Sequence, residues 1–251
     1  MRRLGEAVVF LTDRTGGVSA DRYATLNLAD HVGDSPDAVS ENRRRVASAV
    51  GAQLGTTAAY GDRPEGVPVV WLSQVHGSTV HVVTPAAIGS TGVAPIADAA
   101  VTSERGVGVA VLTADCVPVA IACEGAVGVA HAGWQGLVDG VLGEAVATLT
   151  RVGTGRVRAL IGPCIHPERY EFGADDLLSV VRSLGLGVAA RTSGGAPALD
   201  LRAAAREALV RAGVHDADVE DVGVCTSASP RHFSHRRDGV TGRQAMIAIL
   251  P

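Results

Sequence analysis

VGVAVLTADCVPVAIACEGAVGVAHAGW, residues 107–134, is the stretch whose reading decides the fold. It holds three valine-rich apolar runs, Val107–Thr113, Val117–Cys123 and Ala126–Ala132, each bounded by turn residues. Runs of that length and composition predict three buried strands. Glu124-Gly125 is a candidate two-residue hairpin turn between the second and third runs. In that register residue 118 faces 131 and residue 116 faces 133. Cys116 and His131 then become diagonal neighbours on one face, with Cα atoms roughly 7–8 Å apart. Cys123 lies an odd number of residues beyond Cys116, so a regular strand turns it to the opposite face.

Working outward, Val8–Thr12 predicts a first strand, and TDRTGGVS after it is a polar turn. Asp37–Val50 predicts a helix with Ser35 as cap and Pro36 in the first turn. Ala52–Pro68 and Ala86–Ile96 are small, polar and irregular, hence loops. Val69–Leu72 and Thr79–Thr84 predict strands on either side of Gln-Val-His-Gly. Beyond the central stretch, Gly136–Thr150 predicts a helix whose Gly136 and Gly140 give a small-residue face. Arg158–Ile161, Asp218–Val224 and Ala245–Leu250 predict strands, and Ala174–Leu184 and Leu201–Ala212 predict helices. The last helix has Asp200 as cap and Gly213 as stop. Strands and helices mix without strict alternation. The expected class is therefore a layered α/β/α arrangement with a mixed β-sheet, formed by residues 1–251 as one domain.

Length and composition fit that expectation. The chain has 251 residues, 47% of them hydrophobic, which is enough for a sizeable core. A net charge of −4 gives no basic excess for nucleic acid. The apolar run after Arg2-Arg3 is too short for a signal-peptide core, and no run is long enough for a membrane helix. The expected address is cytoplasmic, with neither nucleic acid nor membrane as partner, and nothing in the sequence specifies an oligomeric state. The four cysteines form no CxxC pair and read as thiols. All 22 basic residues are arginine. The absence of lysine excludes a Walker phosphate loop, a Schiff base and a Ser-Lys dyad. An anion site must therefore use arginine forks or backbone N–H groups.

His76 ends its strand in SQVHGS, where Gly77 permits a sharp turn. With Cys116 and His131 it would complete a three-ligand set that leaves one coordination position open, the pattern of a catalytic zinc. The same residues also suit a metal-free Cys116/His131 dyad, in which the imidazole activates the thiolate. They suit a copper site as well. Copper oxidases, however, need more histidine than eight with no His-x-His pair, and Met1 and Met246 are the only methionines. A second cluster, CTSASPRHFSHRRDGVTGRQ at residues 225–244, is dense in histidine and arginine. Alternation after Phe233 would put His235 and Arg237 on one face. Asn42-Arg43-Arg44-Arg45 lies in the first helix, mostly as a solvated face from which one arginine can turn inward.

In chain order the sequence reads TDRTGGVS, ENR, QVHG, ADAAVT, TADCVP, AHAGW, IGPCI with YEFG, CTS and SHRRDGVTGR. From about Thr12 onward this set resembles the laccase-domain, YfiH-like family, also described as multicopper polyphenol oxidases. The resemblance implies a YfiH-like α/β fold, shared with the catalytic domain of a deamidating toxin. It implies zinc on His76, Cys116 and His131. It implies phosphorolysis of purine nucleosides, methylthioadenosine included, together with adenosine deamination. Asp115 would then serve as acid/base group. Asn42, Arg43, Gln74, Arg237 and Arg243 would bind nucleoside and phosphate. An alternative is a Cys116/His131 hydrolase that edits UDP-muramoyl peptidoglycan precursors, and a copper-dependent polyphenol oxidase ranks behind both. The chain departs from the family at Gln135, where arginine is usual after HAGW, and at His235, where tyrosine is common.

Overall fold

The computed structural model describes residues 1–55, 66–85 and 93–251. In chain order its first elements are β1 (Arg2–Leu4), β2 (Ala7–Leu11), α1 (Pro36–Leu54), β3 (Val69–Val70), β4 (Val80–Val83), β5 (Ala99–Thr102) and β6 (Gly108–Thr113). Next come β7 (Val117–Glu124), β8 (Ala126–Ala132), α2 (Trp134–Val138), α3 (Val141–Val152), β9 (Thr154–Ile161) and α4 (Ala174–Leu184). The chain closes with β10 (Ala189–Arg191), β11 (Pro197–Leu199), α5 (Leu201–Arg211), β12 (Val219–Asp221), α6 (His235–Asp238) and β13 (Gln244–Ile249). Parts of the two expected loops, residues 56–65 and 86–92, lie outside the described residues.

The central hairpin forms in the expected register. Pro118 faces His131 and Cys123 faces Ala126 across the Glu124-Gly125 turn, with Gly125 at φ 75°. Glycine takes that left-handed conformation without a Cβ clash. The mixed α/β class holds, but the strands divide between two mixed sheets rather than filling one. A five-stranded sheet runs β1-β2-β13-β6-β3, and a six-stranded sheet runs β12-β9-β7-β8-β5-β4. A short β10-β11 hairpin stands apart from both.

Side-chain alternation explains the layering, because successive residues of each central strand feed different cores. Val109 and Val111 of β6 meet Ala120, Ala122, Val127 and Val129 between the sheets. Val119 and Ile121 of β7 point the other way, onto Leu142, Val146 and Leu149 of α3 and Leu209 of α5. Ala110 and Leu112 of β6 pack with Val46 and Val50 of α1. The result is four layers, α/β/β/α, in place of the expected three. Burying both faces of each sheet is why the central strands are apolar throughout.

Caps appear where the sequence signals them. Ser35 accepts from the Ala38 N–H at the start of α1, and Asp200 accepts from Arg202 and Ala203 at the start of α5. The single helix expected over Gly136–Thr150 is instead two, α2 and α3. Gly140 sits between them at φ 86°, outside the helical region. Gly136 does pack closely, since a Cβ there would stand 2.9 Å from the Gly77 carbonyl oxygen. No described helix is long and apolar enough to cross a membrane.

Candidate metal centre

Cys116 precedes β7 and His131 lies near the end of β8, and His76 reaches the same point from the loop after β3. The ligand atoms of these three residues all lie within 4.8 Å of one another. His76 Nε2 is 3.7 Å from Cys116 Sγ, and the two imidazoles meet edge to face at a centroid distance of 4.6 Å. Two imidazoles and one thiolate make a borderline-soft donor set suited to a tetrahedral cation.

The centre is held by Asp98, a residue to which no motif spacing points. Asp98 is fully buried. Its Oδ1 accepts from the His76 N–H at 2.9 Å and lies 2.9 Å from His131 Nδ1. Its Oδ2 accepts from the N–H groups of Val75 at 3.2 Å and Gly77 at 2.8 Å. One carboxylate thus gathers three successive backbone donors and orients one ligand ring. The His76 backbone has φ 62°, a left-handed conformation that a histidine rarely adopts. The Asp98 bonds hold it there. With Nδ1 committed to Asp98, His131 turns Nε2 toward the centre. Burial works against ionisation of Asp98, but His131 and the Gly77 and Val75 N–H groups hold its carboxyl below the usual range.

Gly133 completes the cradle. A Cβ at that position would stand 2.7 Å from His76 Cδ2 and 3.4 Å from Cys116 Sγ. The centre opens on a cavity of about 260 Å³. Beside the donor set, its wall carries Thr113, His31, His235 and Arg243.

The family description multi-copper polyphenol oxidoreductase laccase matches residues 8–251. The chain belongs to this family. Among relatives of this laccase-like chain, a purine nucleoside phosphorylase of Streptomyces coelicolor is 43% identical, spanning 93% of this chain and 91% of its own length. A second protein of that name, from Streptomyces griseus, is 41% identical over 96% of this chain and 93% of its own. Among solved structures, YlmD from Geobacillus stearothermophilus superposes with a TM-score of 0.85 at 33% identity, covering 98% of this chain and 92% of that one. YfiH from Bacillus licheniformis superposes at 0.84 and 29% identity, covering 98% and 93%.

In this laccase-like chain the remaining candidate residues separate sharply. Arg243 and Gln74 line the cavity. The Gln74 amide is committed, donating to the Leu112 carbonyl and accepting from the Leu112 N–H, so it ties the His76 loop to β6. Asn42 is fully buried, and its amide holds Val18, Ser19, Thr25 and Asn27. That makes Asn42 a scaffold for the loop before α1, not a group facing the cavity. Arg43 does turn inward, but onto the Trp71 ring, the Leu28 carbonyl and Asp30. Arg237 donates to the carbonyls of Thr226, Ser229 and His232 and pairs with Asp238. The expected alternation after Phe233 fails because His235–Asp238 is a helical turn, which sends His235 to the cavity and Arg237 away from it.

Asp115 is likewise held by neighbouring segments. Its carboxylate accepts from the Thr226 hydroxyl at 2.6 Å, the Ser234 hydroxyl at 3.0 Å and the Arg236 N–H at 2.7 Å. It pins the CTS and SHRR segments beside Cys116 and is not among the residues lining the cavity. Gln135 is exposed at the start of α2. His31 is the cavity residue no motif points to, since a histidine in LADHVG carries no signal of its own.

Without metal, the centre is a thiolate–imidazolium pair. Burial opposes ionisation of Cys116, yet His131 and then His76 pull its thiol down to about 6. Burial likewise opposes charge on His131, while Cys116 and Asp98 push it up to about 9. Tyr170 and Arg243 are also within electrostatic reach of Cys116. In metal-stripped protein, alkylation of Cys116 by iodoacetamide should therefore rise with pH to a midpoint near 6. An ordinary thiol has its midpoint about 2.5 units higher. Mass spectrometry of the Cys116 peptide measures it, and a midpoint in the ordinary thiol range would contradict the pairing.

Proposed function

We propose that this chain is a zinc-dependent purine nucleoside phosphorylase, with His76, Cys116 and His131 as the metal ligands and residues 1–251 acting as one domain. The observation that carries the reading is the pairing of a two-imidazole, one-thiolate donor set with a guanidinium across one small cavity. The relatives named purine nucleoside phosphorylase support the same substrates, a nucleoside and phosphate. Zinc is favoured over copper by the ligands themselves. Met246 is packed in the inter-sheet core, so it offers no axial sulfur, and the sequence has no His-x-His pair of the kind a multicopper cluster needs. The single-domain reading rests on β13, which pairs with both β2 and β6 and so joins distant parts of the chain in one sheet.

In phosphorolysis a phosphate oxygen bonds to C1′ while the C1′–N9 bond breaks. The purine leaves with the electron pair and takes up a proton. Arg243, which lines the cavity, would hold the phosphate, and the His31 and His235 imidazoles on the same wall would pass the proton. A bound zinc would supply Lewis acidity at the opposite wall. Gln74 and Asp98 keep the wall rigid while this happens. Methylthioadenosine phosphorolysis and adenosine deamination belong to the same reading, the second replacing the C6 amino group with oxygen from water and releasing ammonia.

The test is incubation of zinc-loaded protein with adenosine, with and without phosphate. Adenine plus ribose 1-phosphate, formed only when phosphate is present, is the expected result, and inosine reports the deaminase arm. Absence of all three products, in protein shown to hold stoichiometric zinc, would overturn the reading.

A second reading rests on the order Cys116–His131–Asp98, which has the geometry of a nucleophile, a base and its orienting carboxylate. It supports a cysteine hydrolase acting on an amide, the peptidoglycan-editing activity among them. Stoichiometric zinc that shields Cys116 from iodoacetamide excludes it. Full amidase activity after chelation supports it.

A further inference from the structure

We propose that Cys164 and Cys225 are a modification site, a thiol pair that small disulfides oxidise to an intramolecular disulfide clasp behind Cys116. The motifs that carry them, IGPCI and CTS, supply no residue to the donor set or to the cavity wall. Both thiols are free. The two residues stand directly opposite each other in an isolated parallel bridge. The Cys164 N–H donates to the Val224 carbonyl at 3.2 Å, and the Cys164 carbonyl accepts from the Thr226 N–H at 3.0 Å, so the backbone fixes the register on both sides of Cys225. Paired residues share a face, and paired strands run about 4.7–4.9 Å apart. A disulfide needs Cα atoms about 4.4–6.8 Å apart. A further contact aims the second sulfur. The His166 N–H donates to Cys225 Sγ at 3.4 Å, so that sulfur leans over the segment that carries Cys164.

The two thiols differ in access, and that difference sets the order of reaction. Cys225 is half-buried, whereas Cys164 is fully buried and burial pushes its thiol up. A small disulfide therefore meets Cys225 first. The Cys225 thiolate attacks one of its sulfurs, forms a mixed disulfide and expels one small thiolate. Cys164 then attacks Cys225 Sγ, expels the second small thiolate and passes its proton to it. Two protein thiols are oxidised, and one small disulfide is reduced to two thiols. The new bond closes directly behind the candidate metal centre. Ile165, next to Cys164, donates its N–H to the Asp115 carbonyl at 2.9 Å. Thr226, next to Cys225, donates its hydroxyl to the Asp115 carboxylate at 2.6 Å. Asp115, at φ 98°, immediately precedes Cys116. Joining the two segments that bond Asp115 fixes the mount on which Cys116 sits.

The clasp does not depend on which metal or substrate the centre takes. Because every basic residue is arginine, trypsin separates Cys164, in the peptide 159–169, from Cys225, in the peptide 212–231. The purified protein, with the metal it holds, is treated with oxidised glutathione and digested without reductant. The two peptides should then appear as one species, two hydrogen masses below their sum, and reduction should release both. Cys225→Ser should lose the linked species and leave Cys164 unmodified. Cys164→Ser should stop at a stable glutathione adduct on Cys225. The oxidised wild type should melt about 5–10 °C above the reduced form, because the bond closes a long loop in the unfolded chain, and Cys225→Ser should show no such rise. Thiols at 164 and 225 that both stay reduced would overturn the clasp. So would a glutathione adduct that persists on wild-type Cys225, a Cys116–Cys225 link, or an oxidised form that melts at or below the reduced one.

Discussion

Asp98→Asn is expected to lower zinc affinity by about 10–100-fold, the range for loss of a carboxylate behind a metal-bound histidine. The side chain keeps its size, so packing is preserved. Three backbone N–H groups and one imidazole N–H converge on a carboxylate that has only acceptors. An amide must turn its NH2 toward donors, leaving at least one bond unmade and one repulsive contact in its place. The His131 ring loses the partner that fixes its tautomer, and the His76 backbone loses the bonds that hold it at φ 62°. Two of the three proposed ligands loosen at once. Removing one partner of a buried charged pair costs about 3–5 kcal/mol, so the metal-free variant should also melt well below wild type. Chelator competition measures the affinity and calorimetry the melting. Wild-type zinc affinity in Asp98→Asn would show that the carboxylate does not position the ligands.

Gly133→Ala is expected to cost about 100-fold in kcat/KM, the scale associated with misplacing a reacting geometry by about 1 Å. Gly133 has φ −71° and ψ 165°, a conformation any residue adopts, so the backbone itself accepts alanine. The cost is all contact. The new methyl carbon would sit 2.7 Å from His76 Cδ2, closer than two carbons approach, and His76 has to move. The strand–helix junction and the three apolar clusters are untouched, so the fold should survive. The signature is a folded protein with impaired zinc binding. Stoichiometric zinc and full turnover in Gly133→Ala would mean that His76 is not a ligand.

How much of the molecule is legible in its sequence depends on the range over which each signal acts. The Glu124-Gly125 turn is local, and it carries the register that makes Cys116 and His131 neighbours. Caps at Ser35 and Asp200 are local as well. Periodicity cannot say which strands share a sheet, and so the two-sheet core leaves no local mark. β13 pairs with β2 from the other end of the chain, a contact no window detects. Asp98 does leave a trace. It is a lone charge in IADAAVT, and a charge inside an apolar strand must have partners. Asn42, Asp115 and Arg237 look functional because polar residues in dense motifs do. Their hydrogen bonds show that loop scaffolding needs the same residue types.

The place of β13 also bears on how the molecule is made. The five-stranded sheet has a gap between β2 and β6 until residues 244–249 arrive. Arg243 precedes that strand directly. When the chain folds from its N-terminal side, the six-stranded sheet with its helices can assemble from residues up to 221, but the cavity wall that carries Arg243 forms only once residues 243–249 are available. A chain cut before residue 243 should hold Cys116 and His131 on their hairpin with no Arg243 wall opposite them.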